Sequence, residues 1–191
     1  MLIFETHATS VDNEARLASG WYDADLSPAG ERQAAELGDR HRGRQIDGVY
    51  CSDLIRARRT ADIAFGARSV PIHVDVRLRE CDYGGLTRAP AADIEARRID
   101  CIDIPFPDGE SYAQSVARVR EWLSEVLGTP REHPLLVIGH RATFYAFEHL
   151  LRAIPLREAI AAPWQWQPGW TYALAEFQRS AKSETNETSK P

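Results

Sequence analysis

Apolar and polar positions fall into short blocks along the chain, and the blocks predict strands and helices in alternation. Residues 2–5 form an apolar run and predict a first strand. Ser27 and Pro28 read as an N-cap followed by proline at the first helical position, opening a helix over 28–42. The run 47–51 predicts a second strand, and Ser52-Asp53 reads as the cap of a helix over 54–65. Residues 71–76 alternate as a short strand. The stretch 84–108 carries Pro90, Pro105 and Pro107 and predicts a short helix with loops.

Ser111 caps the most regular helix. Val116, Val119, Leu123, Val126 and Leu127 recur at helical spacing until Gly128 and Pro130 stop it. The continuous apolar run 135–138 predicts a buried parallel strand, followed by a helix over 142–152 and a last strand over 171–177. Short strands alternating with helices define an α/β class, a three-layer α/β/α sandwich with a mostly parallel central sheet. One domain over 1–177 is expected, with the unpatterned polar segment 178–191 as a disordered tail. There is no internal repeat.

Composition narrows the class. At 191 residues, 43% hydrophobic and 27% charged, the chain suits one globular domain rather than a disordered, collagenous or coiled-coil protein. No stretch approaches the roughly 18 to 20 apolar residues of a membrane span. The start lacks a basic segment, so no secretion signal is expected. Three cysteines without a C-x-x-C pair favour a reduced, cytoplasmic setting over a disulfide frame or zinc ribbon. The net charge of -5 argues against nucleic acid as a partner. All but two of the 23 basic residues are arginine, and the two lysines, Lys182 and Lys190, lie in the tail. Schiff-base chemistry and a P-loop are therefore not expected, and no G-x-G-x-x-G supports a nucleotide cofactor.

In open α/β sheets ligands gather at the carboxyl ends of strands. His7 follows the first strand; Ser52, Asp53 and Arg56 follow the second; His140 follows the run 135–139; Glu80 follows the third strand. Imidazole can attack phosphorus, guanidinium can hold phosphate oxygens and a carboxyl group can move the proton. The same residues are also consistent with polar strand ends of no chemical role, or with a metal held by the two histidines and Glu80. His41, His73, His133 and His149 read as structural. Trp164, Trp166 and Trp170 read as core or loop anchors, with a pocket wall or a homodimer contact as the other reading.

These segments resemble the histidine phosphatase superfamily, the phosphoglycerate mutase-like clan. Thr6-His7-Ala8-Thr9 with Asn13 resembles R-H-G-[ET]-x-x-x-N, and Gly20-Trp21-Tyr22-Asp23 through Gly30 resembles G-W-x-D-x-x-L-T-x-x-G. VYCSDLIRARRTA over 49–61 resembles V-Y-S-S-D-L-x-R-A-x-x-T-A. LRECDYG over 78–84, PDGES over 107–111 and VIGHRAT over 137–143 resemble L-R-E-x-x-x-G, P-G-G-E-S and V-S-H-G-G. The motifs keep the family's order and span about 1–177. The resemblance implies a phosphoglycerate mutase-like fold and hydrolysis of a small soluble phosphate ester, with no metal or cofactor. It implies His7 as nucleophile, Arg56 and His140 as holders of the phosphoryl group, Glu80 as proton donor and Asn13 in the pocket wall.

Three positions depart from the motifs. Thr6 stands where the family has arginine, Ala8 where it has glycine and Arg141 where it has glycine. Losing one charge-assisted contact to phosphate costs about 1.5–3 kcal/mol. Thr6 thus implies a weakened site, a site repaired by Arg141 or Arg16, a non-catalytic protein that binds an anionic or phosphorylated ligand, or chemistry retuned to a less charged leaving or transferring group. The short segment between Glu80 and Gly109 favours hydrolysis over mutase-like phosphotransfer, and Arg88, Arg97 and Arg98 within it are candidates to read the substrate or a solvated face.

Overall fold

A computed structural model describes residues 1–174. The first apolar run becomes Leu2–Thr6 (β1), buried on both faces. It pairs in parallel with Leu135–Gly139 (β4) and antiparallel with Trp170–Tyr172 (β5). Gly48–Cys51 (β2) lies on the other side of β4, with Ile72–Val74 (β3) at the edge. The order is β3-β2-β4-β1-β5, with only β5 antiparallel.

Side chains alternate across the inner strands and build two cores. Leu2, Phe4, Leu135 and Val137 pack on Tyr112–Val126 (α5) and Arg141–Arg152 (α6), around the fully buried Trp122. Ile3, Val49, Leu136 and Ile138 pack on Pro28–Arg40 (α2) and Ile55–Phe65 (α3). This is the expected three-layer sandwich. Short helices Val11–Glu14 (α1), Ala91–Arg97 (α4) and Leu156–Ala161 (α7) fill the connections. No described helix is long and apolar enough to cross a membrane.

The caps at Ser27 and Ser111 form as expected, the latter reciprocally with Gln114. The cap expected at Ser52-Asp53 does not. Helix α3 starts after Leu54, and Asp23, 32 residues away in sequence, takes the Ile55 N–H at 2.6 Å. Asp53 instead grips Arg79, leaving Ser52 free to turn elsewhere. Helix α2 stops at Arg40, two residues early, because His41 turns inward onto Glu5 at 2.8 Å. The strand expected over 71–76 shortens to β3, since Asp75 caps a 3-10 turn at Val76–Leu78. Positions 175–177 of the last expected strand and the tail 178–191 lie outside the described residues.

Helix α2 approaches the loop after β1 so closely that a Cβ on Gly30 would lie 2.0 Å from the Thr9 carbonyl oxygen. Gly30→Ala is expected to destabilise the fold by about 1–3 kcal/mol in urea unfolding. Gly43→Ala, where a Cβ meets nothing within 4 Å, should stay within about 0.5 kcal/mol of wild type.

Candidate active site

The parallel register decides which side chains meet. Thr6 pairs with Gly139 and Cys51 with Ile138, and the His7 N–H continues the ladder to the Gly139 carbonyl at 3.0 Å. His7, Ser52 and His140 therefore emerge together at the carboxyl edge of the sheet. The two imidazoles lie 5.0 Å apart, centroid to centroid.

His7 donates from Nδ1 to its neighbour's carbonyl, Ala8 O, at 2.7 Å, which leaves the lone pair on Nε2. Ala8 is pinned in turn by its N–H to Thr60 Oγ1 on α3. Burial, and then the charge of Arg56, hold the His7 pKa down at about 3; the bond to Ala8 opposes them. His140 is 1% exposed and held well below the usual histidine range by burial, Arg56 and His7, in that order. Its Nε2 shares a 2.7 Å hydrogen bond with Ser52 Oγ, while Nδ1 is buried with no hydrogen-bond partner among the described residues. Both rings are neutral at neutral pH.

Arg56 stands in the first turn of α3, 2% exposed. It donates to the carbonyls of Tyr22 at 3.0 Å and Gly20 at 2.7 Å, and has no ion pair among the described residues. Gly20 turns through φ +51°, a left-handed conformation that glycine adopts without strain. Burial lowers the Arg56 pKa, and Glu80 is the largest force against that shift.

Glu80 rests on the start of α6. Its Oε1 accepts the N–H groups of Cys81 at 2.9 Å and Ala142 at 3.0 Å, and Oε2 that of Arg141 at 3.2 Å. Its backbone is held as firmly. The Glu80 carbonyl accepts from Trp21 Nε1 at 2.7 Å and from Arg118 at 2.9 Å, and Arg118 also binds the carbonyls of Arg77 and Arg79. Glu110, from PDGES, orients Arg118 with two contacts.

One cavity of about 600 Å³ is lined by His7, Arg56, Glu80 and His140, and also by Thr6, Asn13 and Arg141. The Thr6 hydroxyl has no hydrogen-bond partner among the described residues. Asn13 spends its side-chain oxygen on the α1 capping box with Ser10. Arg141 reaches the wall, but its guanidinium is engaged by Glu95 at 3.0 Å and lies 5.4 Å from the Trp164 ring. Arg16 is exposed and away from the cavity.

Arg88, Arg97 and Arg98 are also absent from the cavity wall; Arg88 binds Asp12, and Arg98 binds Glu95 and Tyr145. The tryptophans divide: Trp164 and Trp166 line the cavity, whereas Trp170 is buried in β5. No group of three or more His, Cys, Asp or Glu side chains converges as a metal site among the described residues. Sequence reasoning missed Ser52 as the partner of His140, although its place after β2 follows the strand-end rule. It also missed the contacts of Trp21, Glu110 and Arg118 with the Glu80 loop; Trp21 and Glu110 lie in quoted motifs, whereas Arg118 has no local signal.

Two histidines, an arginine and a glutamate thus line one cavity at the carboxyl edge of an α/β sandwich. The chain matches the family model of the histidine phosphatase superfamily (branch 1) over residues 2–173, and belongs to that family. It is 34% identical over 142 residues to the "Probable phosphoglycerate mutase GpmB" of Erwinia tasmaniensis, covering 70% of this chain and 66% of that protein. The match thus spans just under two thirds of that relative. It is 33% identical over 168 residues to a 2,3-bisphosphoglycerate-dependent phosphoglycerate mutase of Methylobacterium sp. (strain 4-46), covering 81% and 78%. A mycobacterial glucosyl-3-phosphoglycerate phosphatase solved with VO3 aligns at TM-score 0.76 and 25% identity, over 85% and 86% of the two chains. The α-ribazole phosphatase of Shigella flexneri shares the fold at TM-score 0.73 and 22% identity, over 83% and 82%.

Two buried neutral histidines have a consequence for acid stability. The unfolded chain takes up protons near pH 6.5, whereas folded His7 waits until about pH 3. Its contribution is complete above pH 6.5 and is lost as pH falls towards 3, at about 1.4 kcal/mol per pH unit for one proton. His7→Asn should flatten the dependence of unfolding free energy on pH by about that slope between pH 6 and 4. An unchanged slope would show that His7 is not held neutral.

Proposed function

We propose that the chain is a phosphomonoester hydrolase acting on a small soluble phosphate ester through a phosphohistidine on His7. The observation that carries this reading is the His7 tautomer. Its proton is committed to Ala8 O, so Nε2 offers a lone pair into a cavity that also holds a buried arginine without a counter-ion. That arrangement suits a neutral nucleophile facing an anion.

In the first step Nε2 bonds to phosphorus as the ester P–O bond breaks. Arg56 holds the equatorial oxygens. Ser52, donating to Nε2 of His140, leaves the His140 proton on Nδ1 as a further donor. Glu80 passes a proton to the leaving oxygen. Its Oε2, with one N–H on it against two on Oε1, is the oxygen with room to carry that proton. In the second step water attacks phosphorus, Glu80 takes the water proton, the P–N bond breaks and His7 is restored. Arg118 and Glu110 keep the Glu80 loop in place without touching substrate.

The VO3 held by the mycobacterial phosphatase supports an oxyanion site on this fold. A second reading, mutase-like phosphotransfer, is favoured by the names of the relatives at 33–34% identity. Both readings begin with phospho-His7 and part at the second step, where a mutase returns the phosphoryl group to product instead of releasing phosphate. A third, binding without turnover, follows from Thr6.

The wild-type protein is expected to hydrolyse p-nitrophenyl phosphate and to release inorganic phosphate. His7→Ala should lower kcat by roughly three orders of magnitude and abolish phosphoenzyme labelling. Equal hydrolysis by His7→Ala would refute the assignment. Isomerisation of a phosphoglycerate without phosphate release would select the mutase reading, and ligand binding without turnover the third.

A further inference from the structure

The charges around the cavity are unusual for a site that receives phosphate. Its carboxylates are Glu5, Glu36, Glu80 and Glu95, and its guanidinium groups are Arg40, Arg56 and Arg141. Arg40 is paired with Glu5 at 3.0 Å and Arg141 with Glu95 at 3.0 Å. Arg56 is the one cavity arginine without an ion pair, and Glu80 is its strongest charged neighbour. The remaining ionisable groups do not add charge: His7 and His140 are kept neutral by burial, as are the phenols of Tyr83, Tyr112 and Tyr145. His41 lies behind Glu5 on the α2 side. Near the two histidines, one positive charge is available.

We propose that this site takes the phosphoryl group as its monoanion. The inference rests on the phosphoryl reading above and refines it to the ionic form of the substrate. A dianion beside Arg56 alone would leave one negative charge desolvated and uncompensated, which a partly buried site penalises heavily. A monoanion brings one negative charge where the dianion brings two, and Arg56 can match one.

The hydrogen-bonding groups point the same way. A singly charged phosphoryl group carries one P–OH, which needs an acceptor. Arginine has none, whereas a threonine hydroxyl accepts as well as donates. Thr6 lies beside His7 on the cavity wall with its hydroxyl unpartnered among the described residues. Thr6 thus acts as a selector of ionic form, and the missing cation is part of the specificity.

Binding of inorganic phosphate and of sulfate, measured calorimetrically at about pH 6 and about pH 8, tests this. Phosphate loses its second proton across this interval, whereas sulfate stays a dianion, so sulfate reports any titration of the protein itself. Wild type is expected to bind phosphate at least about tenfold tighter than sulfate at the lower pH, and to lose about tenfold in phosphate affinity at the higher pH with sulfate unchanged. Thr6→Arg should bring sulfate level with phosphate and remove the pH dependence. Equal wild-type binding of the two anions, phosphate binding that tightens with pH, or no phosphate binding at pH 6 would overturn the proposal. The wild-type titrations decide it alone if the variant does not fold. Because the readout is binding, phosphate preference without turnover would uphold the inference and reject the hydrolase reading instead.

Discussion

The pairing of β1 with β4 is the constraint on which the site depends. It aligns Thr6 with Gly139, so that the next residue of each strand is a histidine, and the two rings come within 5.0 Å. A slip of one residue would separate the rings and send each β1 side chain to the opposite face. Apolar patterning alone secures this register weakly, because β1 is buried on both faces and Leu2, Ile3 and Phe4 are almost interchangeable in character. Glu5 removes the ambiguity. It is 2% exposed, and on the α2 side it meets Arg40 and His41. On the other side it would meet Phe147 and Trp122, an uncompensated charge in an apolar core, which costs several kcal/mol.

Electrostatics in the cavity follow from the same packing. Closing helices over both faces of the sheet dries the edge where the histidines emerge, and burial is the largest cause of both lowered pKa values. The same burial would be expensive for Arg56 but for the carbonyls of Gly20 and Tyr22, which solvate it without neutralising it. A full positive charge is thereby kept beside two uncharged rings. Glu80 completes the set from a different quarter, with its side chain on the α6 amides and its backbone on Arg118. The groups proposed to react are thus fixed by main-chain contacts more than by one another.

What was legible in the sequence divides along the reach of each signal. The apolar run 135–138 and the caps at Ser27 and Ser111 are local patterns, and they locate β4, α2 and α5 well. His7 and His140 could be picked out because strand ends are where such sheets place ligands, and the motifs brought in Glu80 and Arg56. Ser52 was misread for a physical reason. A cap is a local signal, whereas the N–H that Ser52 would have bonded is taken by Asp23 through tertiary contact. Arg118 was invisible, being one arginine among many on a helix, marked only by three carbonyls that fold back towards it. Of the two readings open for Arg88, Arg97 and Arg98, none of the three lines the cavity, and Asp12 and Glu95 hold two of them.

The same segment also shapes the cavity wall. Helix α4 lays Ala91, Ile94 and Glu95 against the cavity within the short span between Glu80 and Gly109. Glu95 binds Arg98 at the C-cap of its own helix and Arg141 on α6, so one carboxylate ties α4 to the helix whose first turn holds Glu80. Arg141 cannot leave that junction for a ligand without leaving Glu95 to Arg98 alone and giving up its contact with Trp164. It therefore serves as a strut in this structure rather than as a replacement for the arginine absent at position 6. Trp164 and Trp166 line the same cavity, with the Trp164 ring 5.4 Å from the Arg141 guanidinium of that ion pair. On the proposed phosphoryl reading, such a wall selects the organic group by shape and stacking, and the charge of the substrate is left to Arg56 and Thr6.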